Sequence, residues 1–151
     1  VRPGHGSGVI VVGTDFSDGA YPAVRAAAEE AKRIDGRVML VHSIEVTPVT
    51  TEFLTAATAM TFPAVAAELE THAKRLLDEL LAKSGADGDL EVAYERPGAA
   101  IVRRAEQWSA DLVVVGTRGH SRLNRMLLGS VAESVVRMAH CSVLVVRLHE
   151  R

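Results

Sequence analysis

The sequence predicts an α/β protein built on an open five-stranded parallel sheet, in strand order 3-2-1-4-5, with helices on both faces. Three observations predict this fold. Short apolar, β-branched segments alternate with amphipathic segments, which is typical of β-α repeats. The tetrapeptide Val-Val-Gly-Thr occurs at residues 11–14 and again at residues 114–117, so strands one and four both end in a glycine turn. Right-handed crossovers leave few ways to wind such a chain, and in this order strands one and four are central neighbours.

The size and composition of the chain indicate one globular domain. Of its 151 residues, 48% are hydrophobic and 24% charged, as in ordinary globular proteins and unlike disordered or disulfide-rich chains. We expect a single domain over residues 9–148, after a flexible Gly-rich tail at residues 1–8 that has no secretory apolar segment. The longest apolar runs are much shorter than a membrane span.

Charge and cysteine content argue against several functions. The formal net charge of −2 provides no field to hold nucleic acid or an anionic membrane. Three Phe, two Tyr and one Trp are too few for a base-stacking platform. Cys141 is the only cysteine, which excludes an intrachain disulfide and a four-cysteine zinc site and fits a reducing compartment.

The first part of the chain predicts a strand, a helix and a second strand. Residues 9–12 form an unbroken β-branched run, typical of a strand buried on both faces, which ends at Gly13. A helix follows with Pro22 in its first turn and apolar residues at helical spacing up to Ile34. Residues 37–43 form the second strand. Three residues before the helix offer side-chain oxygens for capping it, namely Asp15, Ser17 and Asp18.

The next two segments lead to different predictions. Residues 47–63 are rich in threonine and carry a proline near each end, so we expect a mobile flap or a poorly formed helix there. Residues 64–83 have one apolar stripe at helical spacing, which predicts an amphipathic helix. The part of this stripe from Leu69 to Leu81 is expected to pack in the core and not to act as an interaction zipper.

The second half of the chain predicts three strands and two helices. Residues 90–94 form a more polar strand, which is expected near a sheet edge. A helix spans residues 97–108 and opens with proline. Further strands are predicted at residues 112–115 and 143–146, with a helix over about residues 131–139 between them.

A glycine signature after the fourth strand indicates the functional site. Gly-Thr-Arg-Gly at residues 116–119 is followed, after nine residues, by Gly129-Ser130. The first two glycines permit positive φ and the close approach of an anion to backbone N–H groups. Gly129-Ser130 lies where the next helix begins, and helix N-termini favour anions. This stretch has no acidic residue between residues 112 and 132, and its three arginines suit a phosphate: Arg118, Arg122 and Arg125.

Simpler interpretations of the same residues stay open at the level of pattern. Glycines commonly form turns after strands. Ser130 and Glu133 form a Ser-x-x-Glu capping box, which by itself would account for the serine. Asp15, at the start of the first βα turn, is either a helix cap or a ligand contact.

The signature and both ends of the domain resemble the universal stress protein family. The Gly-x2-Gly-x9-Gly-Ser spacing at residues 116–130 matches the ATP-binding signature of the family, which members that do not bind ATP generally lack. Thr-Asp-Phe-Ser at residues 14–17 resembles the start of the family domain, and Val-Leu-Val-Val at residues 143–146 resembles its end. The resemblance covers about residues 9–147. One departure is Ser142, where members often have proline, at the entry to the last strand.

The resemblance implies an ATP-binding stress-response protein that is cytoplasmic and homodimeric, with little or no catalysis. Asp15 would contact the adenosine, flanked by Gly13 and Thr14, and the backbone of Val41 would meet the adenine edge. Mg²⁺ or Mn²⁺ would bridge the phosphates of the bound ATP. The strand at residues 143–146 would pair with its twin in the homodimer. The residues that would contact ribose and phosphates are Val115, Gly116, Arg118, Gly119, Gly129, Ser130 and Val131.

Two other functions are kept as alternatives. A slow ATPase or a self-phosphorylating enzyme would need a base beside the phosphates, and His120 or Asp15 would have to serve. A binder of cyclic AMP or of another adenine nucleotide would use the same backbone N–H groups of the glycine signature for a single phosphate.

The histidines and the cysteine predict no further site. His42 is expected to pack at a strand end, and His120 to lie on a loop surface. His140 and Cys141 are adjacent, so in an extended chain they would face opposite ways, which disfavours a metal or redox pair. Cys141 is expected to be a small buried apolar residue.

Overall fold

The computed structural model describes residues 8–45, 56–117 and 128–147, with the backbone alone for residues 56–60. Of the predicted N-terminal tail only Gly8 is described, and its carbonyl accepts a hydrogen bond from the N–H of Arg37 (2.9 Å). In chain order, the elements within the described ranges are β1 (Val9–Gly13), α1 (Tyr21–Arg33), β2 (Arg37–Ser43), α2 (Ala56–Ser84), β3 (Gly88–Ala93), α3 (Pro97–Gln107), β4 (Leu112–Gly116), α4 (Ser130–Met138) and β5 (Ser142–Val146).

The five strands form one parallel sheet in the order β3-β2-β1-β4-β5, which confirms the predicted fold class. β1 is central, since Val12 pairs with Leu40 of β2 on one side and with Val114 of β4 on the other. The winding reverses between β1 and β4, and in such sheets a crevice opens beyond the carboxyl ends of the two strands. The glycine turns that follow β1 and β4 therefore lie beside the same crevice.

The two faces of the sheet carry separate parts of the core. Val11 and Val113 lie in a buried cluster with residues of α3 and α4, whereas Val12 and Val114 lie in a second cluster with residues of α1 and α2. Helices on both faces explain why the central strands are continuous apolar runs and not alternating ones. Burial of each such valine side chain stabilises the fold by roughly 1.5–3 kcal/mol.

Helix α2 begins earlier than the sequence predicts. Residues 56–63, expected to be a flap or a poorly formed helix, are its first two turns, and Pro63 lies inside the helix. Residues 46–55 lie outside the described ranges. An internal proline costs about 3 kcal/mol of helix stability. The alanines on both sides of Pro63, the best helix formers, offset part of this cost in a helix that is already nucleated by its packed C-terminal half.

The apolar stripe of α2 is core along only half of its length. Leu77 is fully buried and Ala73 is 4% exposed, as predicted, but Leu69 is 50% exposed and Val65 is 49% exposed. The expectation that Leu69 packs in the core is therefore wrong. The 29-residue helix is about 43 Å long, whereas the longest described strand, with seven residues, spans about 23 Å. The N-terminal half of the helix therefore extends beyond the sheet. In the described part of the chain, no helix combines the length and the apolar character needed to cross a membrane.

Candidate functional site

A cavity lies beyond the carboxyl ends of β1, β2 and β4. Its volume is about 610 Å³ when the solvent-filled mouth is counted. The first turns of α3 and α4 form its other wall. The lining residues are Gly13, Thr14, Asp15, Ala20, Val41, His42, Ser43, Pro97, Ile101, Val115, Gly116 and Val131.

A tight turn at residues 14–17 carries Asp15 into this cavity. The N–H of Phe16 donates to Thr14 Oγ1 (3.1 Å), and both the N–H and the hydroxyl of Ser17 donate to Asp15 Oδ1. Phe16 adopts a left-handed conformation with φ 61°, which costs a non-glycine residue roughly 1 kcal/mol or more. The turn is thus strained and is held by short-range side-chain hydrogen bonds.

The structure excludes the capping role for Asp15. The N-cap of α1 is Ala20, and no side chain caps it. A further turn separates Asp15 from the helix, because the N–H of Ala20 donates to the carbonyl of Ser17 (3.0 Å). The prediction that Asp15, Ser17 or Asp18 caps α1 is therefore wrong. The prediction of Pro22 in the first turn is confirmed.

Main-chain hydrogen bonds bring the two ends of the glycine signature together. The N–H of Gly129 donates to the carbonyl of Thr117 (2.7 Å), directly after β4 ends at Gly116. The N–H of Thr117 in turn donates to the carbonyl of Val146 in β5 (2.9 Å). The start of α4 therefore lies next to the end of β4. Arg118 and Gly119, with the rest of residues 118–127, lie outside the described ranges.

The capping-box interpretation of Ser130 is wrong. Gly129 is the N-cap of α4, with φ −64° and ψ 154°, so Ser130 is already the first helical residue. A capping box requires the serine itself at the N-cap. Near the cavity, the first turn of α4 has the backbone N–H groups that a helix start leaves without intrahelical acceptors.

The β2 side of the cavity is formed by backbone and small groups. Val41 is 1% exposed, and its carbonyl accepts a hydrogen bond from the N–H of Thr14 (2.9 Å). Ser43 lies two residues further along, so its main chain faces the same side of β2 as that of Val41, beyond the end of β1. Its hydroxyl donates to the carbonyl of Glu95 in the loop before α3.

Gly13 allows α3 to pack close to the end of β1. A side chain at this position would overlap that of Ile101, which also lines the cavity. The structure thus brings seven of the sequence-predicted site residues into one cavity: Gly13, Thr14, Asp15, Val41, Val115, Gly116 and Val131.

Sequence reasoning missed several lining residues. Pro97 and Ile101 reach the cavity because α3 crosses the end of the sheet, a tertiary arrangement that leaves no local signal. Ser43 had a usable signal, since the predicted second strand continues to Ser43 whereas the first ends at Gly13. Ala20 lines the cavity as the N-cap of α1.

A second cleft lies at the opposite end of the sheet, between the ends of α3 and α4. His140 Nε2 lies 2.7 Å from Glu106 Oε1, and both side chains are exposed. Cys141 packs against the core cluster but is half-buried, whereas the sequence predicted a buried residue. Burial, followed by the charge of Asp111, raises the pKa of the Cys141 thiol. A raised pKa lowers the thiolate fraction, so this cysteine is poorly suited to redox chemistry.

The fold and the main cavity together define a doubly wound α/β protein with a crevice at its topological switch point. A sequence profile described as the universal stress protein family matches residues 7–147. A universal stress protein of Methanocaldococcus jannaschii is 34% identical over 141 residues, which cover 91% of this chain and 81% of that protein. The chain belongs to the universal stress protein family.

Solved structures of universal stress proteins share the fold. One, described as a complex with cAMP, is 27% identical with a TM-score of 0.63, over 94% of this chain and 98% of that chain. Another, from Archaeoglobus fulgidus and described as a complex with dAMP, is 26% identical with a TM-score of 0.60, over 92% of this chain and 96% of that chain.

Proposed function

We propose that this protein binds an adenine nucleotide, with ATP as the principal ligand, in the crevice between β1 and β4. One observation carries the proposal. The hydrogen bond from the N–H of Gly129 to the carbonyl of Thr117 brings the two ends of the glycine signature together next to the end of β4, and Asp15 lines the cavity beyond the same edge of the sheet. Backbone amides at one end and a carboxylate at the other suit a ligand with a phosphate tail and a ribose hydroxyl donor.

The proposed roles follow the two ends of the crevice. The adenosine lies beside Asp15, with Gly13 and Thr14 next to it and the adenine edge along β2 at Val41 and Ser43. The ribose and phosphates lie against Val115, Gly116, Arg118, Gly119, Gly129, Ser130 and Val131. Mg²⁺ or Mn²⁺ bound with ATP would neutralise phosphate charge and would be held mainly by the nucleotide and water, because Asp15, the one carboxylate among the described lining residues, is assigned to the adenosine end. The protein acts as a nucleotide-dependent stress-response module with little or no catalysis.

Substitution of Gly129 tests the phosphate end. Gly129 has an extended backbone conformation, so valine can adopt its φ and ψ and adds side-chain bulk at the N-cap of α4. We expect Gly129→Val to weaken ATP binding by about tenfold to a hundredfold, the cost of lost hydrogen bonds to a charged group. Calorimetry with Mg²⁺-ATP measures this, and Ala82→Val on the exposed face of α2 is the matched control. If Gly129→Val and the control bind ATP with equal affinity, the phosphates do not lie at the start of α4.

A charge-removing substitution tests the adenosine end. Asp15→Asn keeps the shape and loses the carboxylate, and we expect about tenfold weaker ATP binding. Asp18→Asn is the matched control, because Asp18 lies in the same connection but is exposed and does not line the cavity. If both variants bind ATP equally, Asp15 does not contact the ligand.

Cyclic AMP is the second candidate ligand, favoured by the similar universal stress protein described in complex with cAMP. A single phosphate would contact the start of α4, and the remaining backbone N–H groups of the glycine signature would stay in water. Competition calorimetry with ATP and cyclic AMP at one site distinguishes them. Displacement of bound cyclic AMP only by a large excess of ATP would make the cyclic nucleotide the principal ligand.

We also propose that the protein is a cytoplasmic homodimer whose two chains pair through β5. β5 pairs with β4 alone among the described strands, so it is an edge of the sheet. Leu144 in β5 and Val136 in α4 are large apolar side chains exposed by 37% and 50%. An apolar edge strand of this kind is covered in stable proteins, and a second copy of the strand provides that cover.

A further inference from the structure

His42 contacts the turn that carries Asp15 in two ways. Its Nδ1 lies 2.9 Å from the carbonyl oxygen of Thr14, and its ring centroid lies 4.3 Å from that of Phe16. A carbonyl oxygen only accepts hydrogen bonds, so Nδ1 carries the hydrogen and donates it. The side chain that was expected simply to pack at a strand end is therefore a defined hydrogen-bond donor to the site.

The bond from His42 replaces a bond of the sheet. β1 and β2 pair up to Gly13 and Val41, and the last ladder bond runs from the N–H of Thr14 to the carbonyl of Val41. In a continued parallel ladder, the next bond would run from the N–H of Ser43 to the carbonyl of Thr14. That carbonyl accepts the His42 side chain instead.

The following bond is replaced in the same way. A continued ladder would direct the N–H of Phe16 to the carbonyl of Ser43. Here the N–H of Phe16 donates to Thr14 Oγ1. The side chains of His42 and Thr14 thus bind the two groups that would extend the pairing, and β1 leaves β2 at this point. The main chain of Ser43 stays at the cavity, and Asp15 enters it from the turn.

We propose that His42 is a positioning residue of the nucleotide site, which ends the β1–β2 ladder through its Nδ1–H and holds the turn that presents Asp15. The part that concerns nucleotide affinity rests on the proposed function. The part that concerns the turn applies to the ligand-free protein and is tested separately.

Two substitutions separate the donor from the ring. In His42→Asn, the side-chain Nδ2 is bonded to Cγ like Nδ1 of histidine, so the donor is kept and the ring is lost. In His42→Phe, the ring against Phe16 is kept and the donor is lost. His72→Phe, at an exposed position of α2, is the matched control. Thermal unfolding of each variant establishes that it is folded before the measurements.

Amide hydrogen exchange by NMR tests the turn without ligand. In His42→Phe, we expect exchange at Phe16 and Ser17 to accelerate by about tenfold, the equivalent of one hydrogen bond. In His42→Asn, exchange should stay within about threefold of the parent protein. Unchanged exchange in a folded His42→Phe variant, or equal acceleration in both variants, would overturn the proposal.

Nucleotide affinity tests whether the turn acts through Asp15. We expect ATP to bind about tenfold more weakly to His42→Phe and within about threefold of normal to His42→Asn. The double variant His42→Phe/Asp15→Asn should bind ATP no more weakly than the single variant with the lower affinity, because both changes remove the same contact between Asp15 and the nucleotide. If the reduction in ATP affinity of the double variant equals the product of the two single reductions, the positioning role is overturned. If the parent protein binds no adenine nucleotide, the proposed function fails, and the exchange measurement still decides the role of His42 in the turn.

Discussion

The two edges of the sheet differ in chemistry. At the β3 edge, charged side chains face one another, and Arg37 Nη1 lies 3.1 Å from Asp89 Oδ2. At the β5 edge, the strand reads Ser-Val-Leu-Val-Val, and Leu144 is exposed. Charge on an edge discourages pairing with another chain, whereas an apolar edge favours it. The comparison distinguishes a charged edge at β3 from an apolar edge at β5, and only the apolar edge suits the proposed pairing with a second chain.

Ion pairing at the β3 side extends into the interior through Arg104. Arg104 of α3 is 7% exposed, and its Nε lies 2.5 Å from Glu91 Oε1 and its Nη1 3.5 Å from Glu95 Oε1. Arg103 pairs with the same Glu95 but from the exposed face of the helix. The two neighbouring arginines therefore share a partner and differ in burial.

Removal of Arg104 should have the largest effect. Arg104→Met leaves Glu91 and Glu95 without their shared cation, and we expect a loss of about 2–3 kcal/mol in the free energy of unfolding, less than for a fully buried pair because both carboxylates are partly exposed. Arg103→Met should lose less than about 1 kcal/mol, as exposed pairs do. Urea unfolding measures both. If both variants lose the same free energy of unfolding, the burial of Arg104 does not strengthen its ion pairs with Glu91 and Glu95.

A lysine at the β5 edge should have the next largest effect. Leu144→Lys places charge on the surface that is proposed to pair, and we expect the dimer to dissociate at least about tenfold more readily. Tyr94→Lys, at a residue of similar exposure directly after β3, should leave the oligomeric state unchanged. Sedimentation velocity over a concentration series gives both answers. A monomeric parent protein, or a dimer that persists in Leu144→Lys, would remove the proposed role of this edge.

The smallest effect concerns Tyr94 and pH. Its hydroxyl donates to Glu70 Oε2 (2.5 Å), and this hydrogen bond raises the pKa of Tyr94 from 10.0 to about 12. Because the folded protein keeps this proton to higher pH than the unfolded chain, the contribution to stability is complete below about pH 10 and is lost as pH rises through 12. Urea unfolding at pH 9 and 11.5 should show a steeper decline for the parent protein than for Tyr94→Phe. Parallel declines would show that the hydroxyl is not bonded to Glu70 in solution.

The sequence predicts the sheet well because its signals are strong and local. Unbroken β-branched runs such as residues 9–12 are typical of strands buried on both faces, which predicts a parallel sheet covered by helices on both sides. The start of α2 was missed because proline and threonine penalties are local, whereas the packed half of the helix extends it cooperatively. The exposure of Leu69 was missed because a periodic stripe does not tell how far the partner surface reaches.

The candidate site was predictable where the backbone determines it. Gly13 and Gly116 end the two strands that meet at the switch point, and Asp15 follows the first of them, so position along the chain was enough to predict that they lie together. His42 carried no signal of its role, since the replacement of a ladder bond by a side chain becomes visible only with the register of β1 against β2. Ile101 reaches the cavity through the way α3 crosses the sheet, which no pattern within the helix encodes.

Thr117 joins two parts of the molecule through a single residue. Its N–H bonds Val146 at the end of β5, and its carbonyl bonds Gly129 at the start of α4. Both bonds use main-chain atoms, so ordinary exchange of side chains at residues 117, 129 or 146 leaves the connection intact. Proline at position 117 or 129 would remove a donor and break it. The connection from the edge strand to the helix start therefore does not depend on which side chains stand at residues 117 and 146.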